Sequence, residues 1–194
     1  MITLLIILIN ILVFFVMISL GVDFFNPAAQ SIHYFGGTYG PDILHKGEYW
    51  RLLTSNYIHI GFIHLLFNMW CLYSIGSELE ELIGSNYFML IYSISGIIGS
   101  ISSCFINYNI VGAGASGAIF GISGSLLIIG YFVNKNLRYH GLRYDYAPLM
   151  IFIIYNTIYG FSVSGIDNSA HIGGLLSGII LGYLVLNIRK HQKP

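Results

Sequence analysis

The sequence predicts an all-α membrane protein, and three features of its composition predict that fold class. Lys and Arg together number eight, Asp and Glu also number eight, and these charged residues make up 8% of the 194 residues, whereas a soluble domain has roughly 25%. Hydrophobic residues make up 56% of the chain, and the mean hydropathy is +0.75. The formal net charge is zero, which excludes the basic surface of a nucleic-acid-binding protein and the high net charge of a disordered chain.

Six transmembrane helices are predicted from the gaps between the charged residues, because a helix that crosses the hydrocarbon core needs about 20 apolar residues. The charge-free stretches are 1–22, 52–77, 82–134, 146–166 and 168–188. The third stretch is long enough for two helices, and a polar, glycine-rich break at 107–114 divides it. The predicted spans are 3–20, 60–77, 86–105, 116–133, 147–163 and 170–187.

The longest predicted connection is the first loop, residues 21–59, between the first two spans. It is too long for a simple connector, and its aromatic side chains are typical of segments at the membrane interface. These aromatic residues are Phe24, Phe25, Tyr34, Phe35, Tyr49 and Trp50. The expected organisation is therefore a single membrane domain over 1–194, with a long membrane-associated first loop.

The distribution of Lys and Arg predicts the orientation, because cytoplasmic loops carry an excess of these residues. With both termini inside, the inner loops hold Lys135, Arg138, Arg143, Arg189, Lys190 and Lys193. The outer side then holds only Lys46 and Arg51. This asymmetry favours an N-in, C-in topology.

The second span carries two polar residues, His64 and Asn68. Their i, i+4 spacing places both on one face of a helix. A polar residue in a span is costly unless it faces the protein interior, so the pair is a candidate functional site. A polar pair that only joins neighbouring helices explains the segment equally well.

The fourth span begins with a glycine-rich approach to Ser116, in the motif Gly114-x-Ser116-Gly117. Glycine allows a substrate close to the backbone, and a serine at a helix start lies beside unpaired N–H groups that can stabilise an oxyanion. The motif recurs at Ser123, about 10 Å further along the helix. There the backbone N–H groups are already paired, so Ser116 is the better nucleophile. Small residues in this span are also explained by helix packing.

The sixth span begins with His171, followed by glycines at 174, 178 and 182. The glycines repeat every four residues and form one smooth face for close helix contact. A lone histidine beside such a face is more often structural than catalytic. In the six-span topology, however, it lies at the same depth as Ser116 and His64, and this convergence supplies a nucleophile, a base and donors for acyl transfer.

The charged residues also limit the mechanism, since Asp145 and Asp167 only flank the spans. A hydrolase here is therefore expected to use a serine and a histidine without a third, acidic member. The absence of carboxylates from the predicted spans also excludes a catalytic aspartyl pair. Neither His59 nor His64 begins an HExxH motif, so no metal site is expected. Cys71 and Cys104 fall within predicted spans and are expected to be buried thiols.

Five short motifs occur in order along the chain, and together they resemble those of the rhomboid family of intramembrane serine proteases. The resemblance covers about residues 45 to 187, with the first span added. The motifs are Trp50-Arg51, His64-x-x-x-Asn68, Gly76-x-x-x-Glu80-x-x-x-Gly84, Gly114-x-Ser116-Gly117 and Ala170-His171-x-x-Gly174.

The resemblance implies a six-helix bundle of rhomboid type with Ser116 as the nucleophile and His171 as its general base. It further implies an oxyanion hole formed by His64, Asn68 and the backbone N–H of Ser116, and a lateral gate at the fifth span. Structural motif residues are Trp50, Arg51, Gly76, Glu80, Gly84, Gly114, Gly117, Phe120 and Gly174. Phe120 departs from the pattern, because some members have a tyrosine there that donates a hydrogen bond.

The predicted function is an intramembrane serine endopeptidase that needs no cofactor. Its expected partners are membrane-protein substrates with transmembrane helices, membrane lipid, and water as the nucleophile for deacylation, but not nucleic acid. The expected location is a prokaryotic plasma membrane. Two alternatives are a non-proteolytic chaperone that binds membrane helices on the same scaffold and, less well supported, a small transporter.

Overall fold

The structure is a computed structural model that describes residues 1–137, 145–163 and 165–191. Over these residues the chain is helical, with a single β-bridge between Thr38 and Gly112. A 3₁₀ turn covers Ser55–Tyr57, and a π-helical turn covers Leu72–Gly76. The α-helices are α1 (Ile2–Ser19), α2 (Ala29–Tyr34), α3 (Gly40–Lys46), α4 (Arg51–Thr54), α5 (Phe62–Cys71), α6 (Ser77–Ile83), α7 (Ser85–Ile106), α8 (Ser116–Leu137), α9 (Ala147–Ser162) and α10 (Asn168–His191).

Among the described residues, four helices are long and apolar enough to cross a membrane. They lie in α1, α7, α8 and α10. A fifth span is present if Arg51–Tyr57 and Phe62–Ile83, which are bent by 92°, are counted as one. The chain is therefore an integral, multi-pass membrane protein.

The fifth predicted span, 147–163, corresponds to α9, which has 16 residues. At 1.5 Å per residue this helix is about 24 Å long, shorter than the roughly 30 Å hydrocarbon core. The six-span count and the N-in, C-in orientation stay predictions. Three of the residues used for the orientation, Arg138, Arg143 and Lys193, lie outside the described residues.

The helix of the second predicted span continues past residue 77 to Ile83, and the charge of Glu80 in this extension is satisfied by protein groups. Glu80 accepts hydrogen bonds from the backbone N of Ile2 (2.6 Å) and of Thr3 (2.9 Å), and from the Thr3 hydroxyl (2.6 Å). It also accepts one from the Ser85 hydroxyl at 2.6 Å. The carboxylate thus caps the N-terminus of α1, whose first N–H groups have no partner within the helix.

Helices α8 and α10 contact each other backbone to backbone. A Cβ atom added at Gly178 would lie 2.6 Å from Gly121 Cα, and one at Gly174 would lie 2.8 Å from the Gly117 carbonyl carbon. Real Cβ atoms do not approach backbone atoms so closely, so only glycine fits at both positions. This contact fixes the register between the two helices.

The first loop folds around Arg51, which is only 5% exposed. Its guanidinium donates to Glu48 Oε2 (2.6 Å) and to the backbone oxygens of His33 (2.6 Å) and Gly37 (3.1 Å). The Trp50 ring lies against the same guanidinium, 4.6 Å from its carbon. A buried charge is stable only when it is paired and hydrogen-bonded, so Arg51 holds the short helices of this loop together.

Asp42 is a second acidic side chain in this loop, and its ion pairs predict that the stability of the loop depends on pH. Lys46 Nζ lies 2.8 Å from Asp42 Oδ1, and His33 Nε2 lies 2.7 Å from Oδ2. The Lys46 ammonium, and then His33, hold the pKa of Asp42 below its usual value. Because the folded-state pKa is lowered, the ionised carboxylate stabilises the loop at pH values above the unfolded-state pKa of about 3.9. This stabilisation is lost as the pH falls through the folded-state pKa.

The Asp42→Asn variant is therefore expected to unfold at a lower temperature than the wild type at pH 7. The difference should persist at pH 5 and become smaller at pH 3, below the unfolded-state pKa of about 3.9, as protonation of Asp42 removes its ion pairs. Thermal unfolding in detergent at the three pH values measures this. An equal difference at all three values would contradict it.

Candidate active site

The Ser116 and His171 side chains meet where α8 and α10 begin. Ser116 is the first residue of α8, and His171 lies in the first turn of α10. Ser116 Oγ and His171 Nε2 are 2.9 Å apart, and His171 is 7% exposed. This distance allows a proton to pass directly from the hydroxyl to the imidazole.

Phe120 orients the His171 ring by stacking. The two rings are nearly parallel, at 5°, with their centroids 4.3 Å apart. The Nδ1 atom of His171 is buried, and no described residue forms a hydrogen bond with it. Packing against an aromatic face, rather than a carboxylate, therefore fixes the orientation of the imidazole.

Replacement of Phe120 tests this packing role, on the premise that the chain cleaves substrate. The Phe120→Ala variant should lose roughly fivefold in kcat, because an aromatic pair contributes about 1 kcal/mol. Phe120→Tyr keeps the stacked ring and should stay within about twofold of the wild type by the same reasoning. Cleavage of a single-span substrate measures both, and equal losses in the two variants would contradict the role.

His64 packs against the backbone that leads to Ser116. A Cβ atom at Gly114 would lie 2.6 Å from His64 Cε1, and Gly114 has a φ of +135°, which L side chains rarely adopt. Glycine is therefore required here on both counts. Asn68 donates from Nδ2 to the backbone oxygen of His64 at 2.8 Å. The predicted oxyanion residues thus lie on one face of α5, with His64 against the Ser116 loop.

The N-terminus of α8 supplies backbone donors beside Ser116. The N–H of Ile119 donates to Ala115 O at 2.9 Å and begins the hydrogen-bond ladder of the helix. The N–H groups of 116–118 precede that first bond, and such groups have no partner within a helix. They are suited to stabilise negative charge that develops on a carbonyl oxygen near Ser116.

Ser123 occupies a different environment from Ser116. It is fully buried in α8, and its hydroxyl donates to the backbone oxygen of Ile119 at 2.8 Å. Among the described residues, no histidine forms a hydrogen bond with this hydroxyl, whereas His171 lies 2.9 Å from that of Ser116. The geometry therefore favours Ser116 over Ser123.

The remaining motif residues lie at structural positions. Gly117 packs close to Ala170, because a Cβ atom added at Gly117 would lie 3.4 Å from the Ala170 carbonyl oxygen. Gly76 lies in the π-helical turn, and Gly84 ends α6 with a φ of +86°. Trp50 and Glu80 act in the first loop and at the start of α1, as described above.

Sequence reasoning placed Asp167 only at the flank of a span and missed its contacts. Asp167 Oδ1 accepts a hydrogen bond from the backbone N of Ala170 at 3.1 Å and one from Asn107 Nδ2 at 2.7 Å. The carboxylate thus caps α10 and links it to the end of α7. The signal was present, because an Asp directly before an apolar helix is a typical N-cap.

Among the described residues, no group of three or more His, Cys, Asp or Glu side chains is placed to hold a metal ion. Cys71 and Cys104 are free thiols, and Cys104 is buried.

Comparison with known proteins identifies the family. The rhomboid domain family model matches residues 46–188. The chain is 46% identical over 136 residues to rhomboid protease GluP of Bacillus subtilis. The matched region covers 70% of this chain and 26% of that protein. It is 37% identical over 165 residues to RHOMBOID-like protein 7 of Arabidopsis thaliana, covering 83% of this chain and 50% of that protein. The chain thus spans between a quarter and a half of the length of these two relatives, and it belongs to the rhomboid family.

Proposed function

We propose that this protein is an intramembrane serine endopeptidase that cleaves membrane proteins in or near their transmembrane helices. The observation that carries the proposal is the 2.9 Å separation of Ser116 Oγ and His171 Nε2 at the start of two membrane helices. Membership of a family that includes a rhomboid protease supports the same function. A nucleophile beside a buried base, with backbone donors nearby, is the arrangement that acyl transfer requires.

In the proposed reaction, Ser116 Oγ attacks the carbonyl carbon of the substrate peptide while His171 Nε2 takes the hydroxyl proton. The oxyanion is stabilised by the first N–H groups of α8, with His64 and Asn68 beside them. The C–N bond then breaks, and His171 gives its proton to the leaving amine. Water attacks the acyl-enzyme with His171 again as base, which releases the acid product and restores Ser116.

The substrate helix is proposed to approach from the lipid past α9. This helix buries only Leu149, Ile153 and Gly160, and much of its apolar surface is exposed. Weak burial makes α9 easier to displace than α8 or α10. Substrates with helix-breaking residues near the scissile bond should be preferred, because a stable helix keeps its carbonyls hydrogen-bonded.

The experiment that tests the proposal uses the full chain purified in detergent. It is incubated with a model single-span protein, and with a fluorophosphonate probe that labels activated serines. We expect cleavage of the substrate into two fragments and covalent labelling at Ser116. Mass spectrometry identifies the labelled peptide and the cut position.

Two outcomes would contradict the proposal. A folded protein that binds the single-span substrate without cutting or labelling would instead be a membrane-helix chaperone. Labelling at Ser123 would mean that the other serine motif supplies the nucleophile.

A further inference from the structure

Asp167 forms the first turn of α10 together with His171. Its backbone oxygen accepts from the His171 N–H at 3.2 Å, so the two residues lie one turn apart. Its Oδ1 atom accepts from Ala170 N, from Asn107 Nδ2 and from the Ser169 hydroxyl. The carboxylate is therefore held in place at the end of the helix that carries the proposed base.

The position of His171 is unfavourable for the positive charge that the reaction requires. The N-terminus of a helix has a partial positive charge of about half a unit, which opposes a cation in the first turn. His171 is also buried, so water solvates it poorly. The imidazolium that forms when Ser116 gives up its proton thus needs a compensating negative charge.

Asp167 is placed to supply that charge. Among the described residues, the other titratable side chain that acts electrostatically on His171 is His64 of α5, which carries no negative charge. The second carboxylate oxygen of Asp167, Oδ2, lies near Gly112. A Cβ atom added to this glycine would be 3.6 Å from it. Asp167 and Ser116 also line a common cavity of about 30 Å³.

We propose that Asp167 is a positioning residue for the Ser116–His171 pair, and this rests on the proposed function. Acting through His171, its carboxylate fixes the first turn of α10 and stabilises the imidazolium. It supplies the electrostatic stabilisation of the imidazolium that the acid provides in a Ser-His-Asp triad, but it forms no hydrogen bond with His171 Nδ1.

The test separates charge from capping by means of Asp167→Asn. Asparagine caps helices as well as aspartate does and keeps an acceptor for Asn107. We expect kcat and the rate of fluorophosphonate labelling to fall about tenfold, the range that one charge at a helix end can produce. KM for the single-span substrate and the thermal unfolding temperature should stay unchanged.

Asp145→Asn is the matched control. Asp145 is exposed and also caps a helix, since it accepts from Ala147 N at 3.0 Å at the start of α9. This variant should keep the wild-type kcat. Asp167→Ala, which removes the cap as well as the charge, should lower both kcat and the unfolding temperature.

The proposal is overturned if Asp167→Asn keeps the wild-type kcat, or if its unfolding temperature falls as far as that of Asp167→Ala, which would make the role purely structural. An equal loss of kcat in Asp145→Asn would also overturn it. A wild-type protein that neither cleaves nor labels would refute the proposed function itself, which distinguishes the two failures.

Discussion

Cleavage is expected to fall by at least about 10³-fold when Ser116 is replaced by alanine, and by a similar factor for His171→Ala. In the proposed reaction the two groups act as a unit, so removal of either should leave only binding and oxyanion stabilisation. The double variant should therefore be no slower than either single variant. Fragment formation from a single-span substrate, measured with purified protein, checks all three.

Ser123→Ala is the matched control for this experiment, because it removes a hydroxyl from the second copy of the same motif. Its hydroxyl bonds only to the backbone of its own helix at 2.8 Å, so activity should stay within about threefold of the wild type. Loss of cleavage in Ser123→Ala alone would mean that Ser116 is not the nucleophile.

The largest effect on stability is expected for Gly178→Ala, at the contact between α8 and α10. The new methyl group would overlap the Gly121 carbonyl and lie 2.6 Å from Gly121 Cα. Backbone cannot move aside as a flexible side chain does, so the two helices must separate. We expect a loss of about 3 kcal/mol in the free energy of unfolding, the upper part of the range for overpacking. Unfolding by SDS in mixed micelles measures it.

Gly117→Ala serves as the comparison on the facing helix. Its added Cβ would have its nearest neighbour at 3.4 Å, the Ala170 carbonyl oxygen, which is ordinary van der Waals contact. The loss of unfolding free energy should stay below about 1 kcal/mol. Similar losses for the two variants would show that glycine is not needed for the close approach at Gly178.

The spanning helices could be predicted because lipid imposes a simple rule. Charged residues are excluded from a span, so the gaps between them locate the helices, and α1, α7, α8 and α10 lie close to the predicted ranges. The helix of the second predicted span continues past residue 77, to Ile83. Glu80 is paired with groups of α1, 78 residues away in sequence, and such a partner leaves no local signal.

The internal structure of the first loop could not be predicted for a related reason. Its short helices are held by the contacts of Arg51 with Glu48, His33 and Gly37. These contacts depend on the folded path of the chain and produce no hydrophobic periodicity. The sequence therefore indicated only an aromatic, interfacial loop.

For the candidate site, the sequence predicted only that its residues lie at a similar depth in the membrane. Ser116 and His171 were placed on the same side, and in the structure their side chains lie within hydrogen-bond distance, although their roles stay predictions. The resemblance placed Phe120 near His171, but the parallel stacking that orients the imidazole was not predictable, because it depends on rotamers and helix rotation. Asp167 was set aside because it lies outside a span, yet it is one turn from His171.

The capping of α1 by Glu80 has a consequence for biosynthesis. During synthesis α1 enters the bilayer before α6, while its acceptor, Glu80, is still 78 residues from being made. Until α6 emerges, the first N–H groups of α1 depend on water or lipid headgroups, which keeps that end of the helix at the membrane surface. Final docking of α1 must therefore wait for α6, which is made before the helices that carry Ser116 and His171.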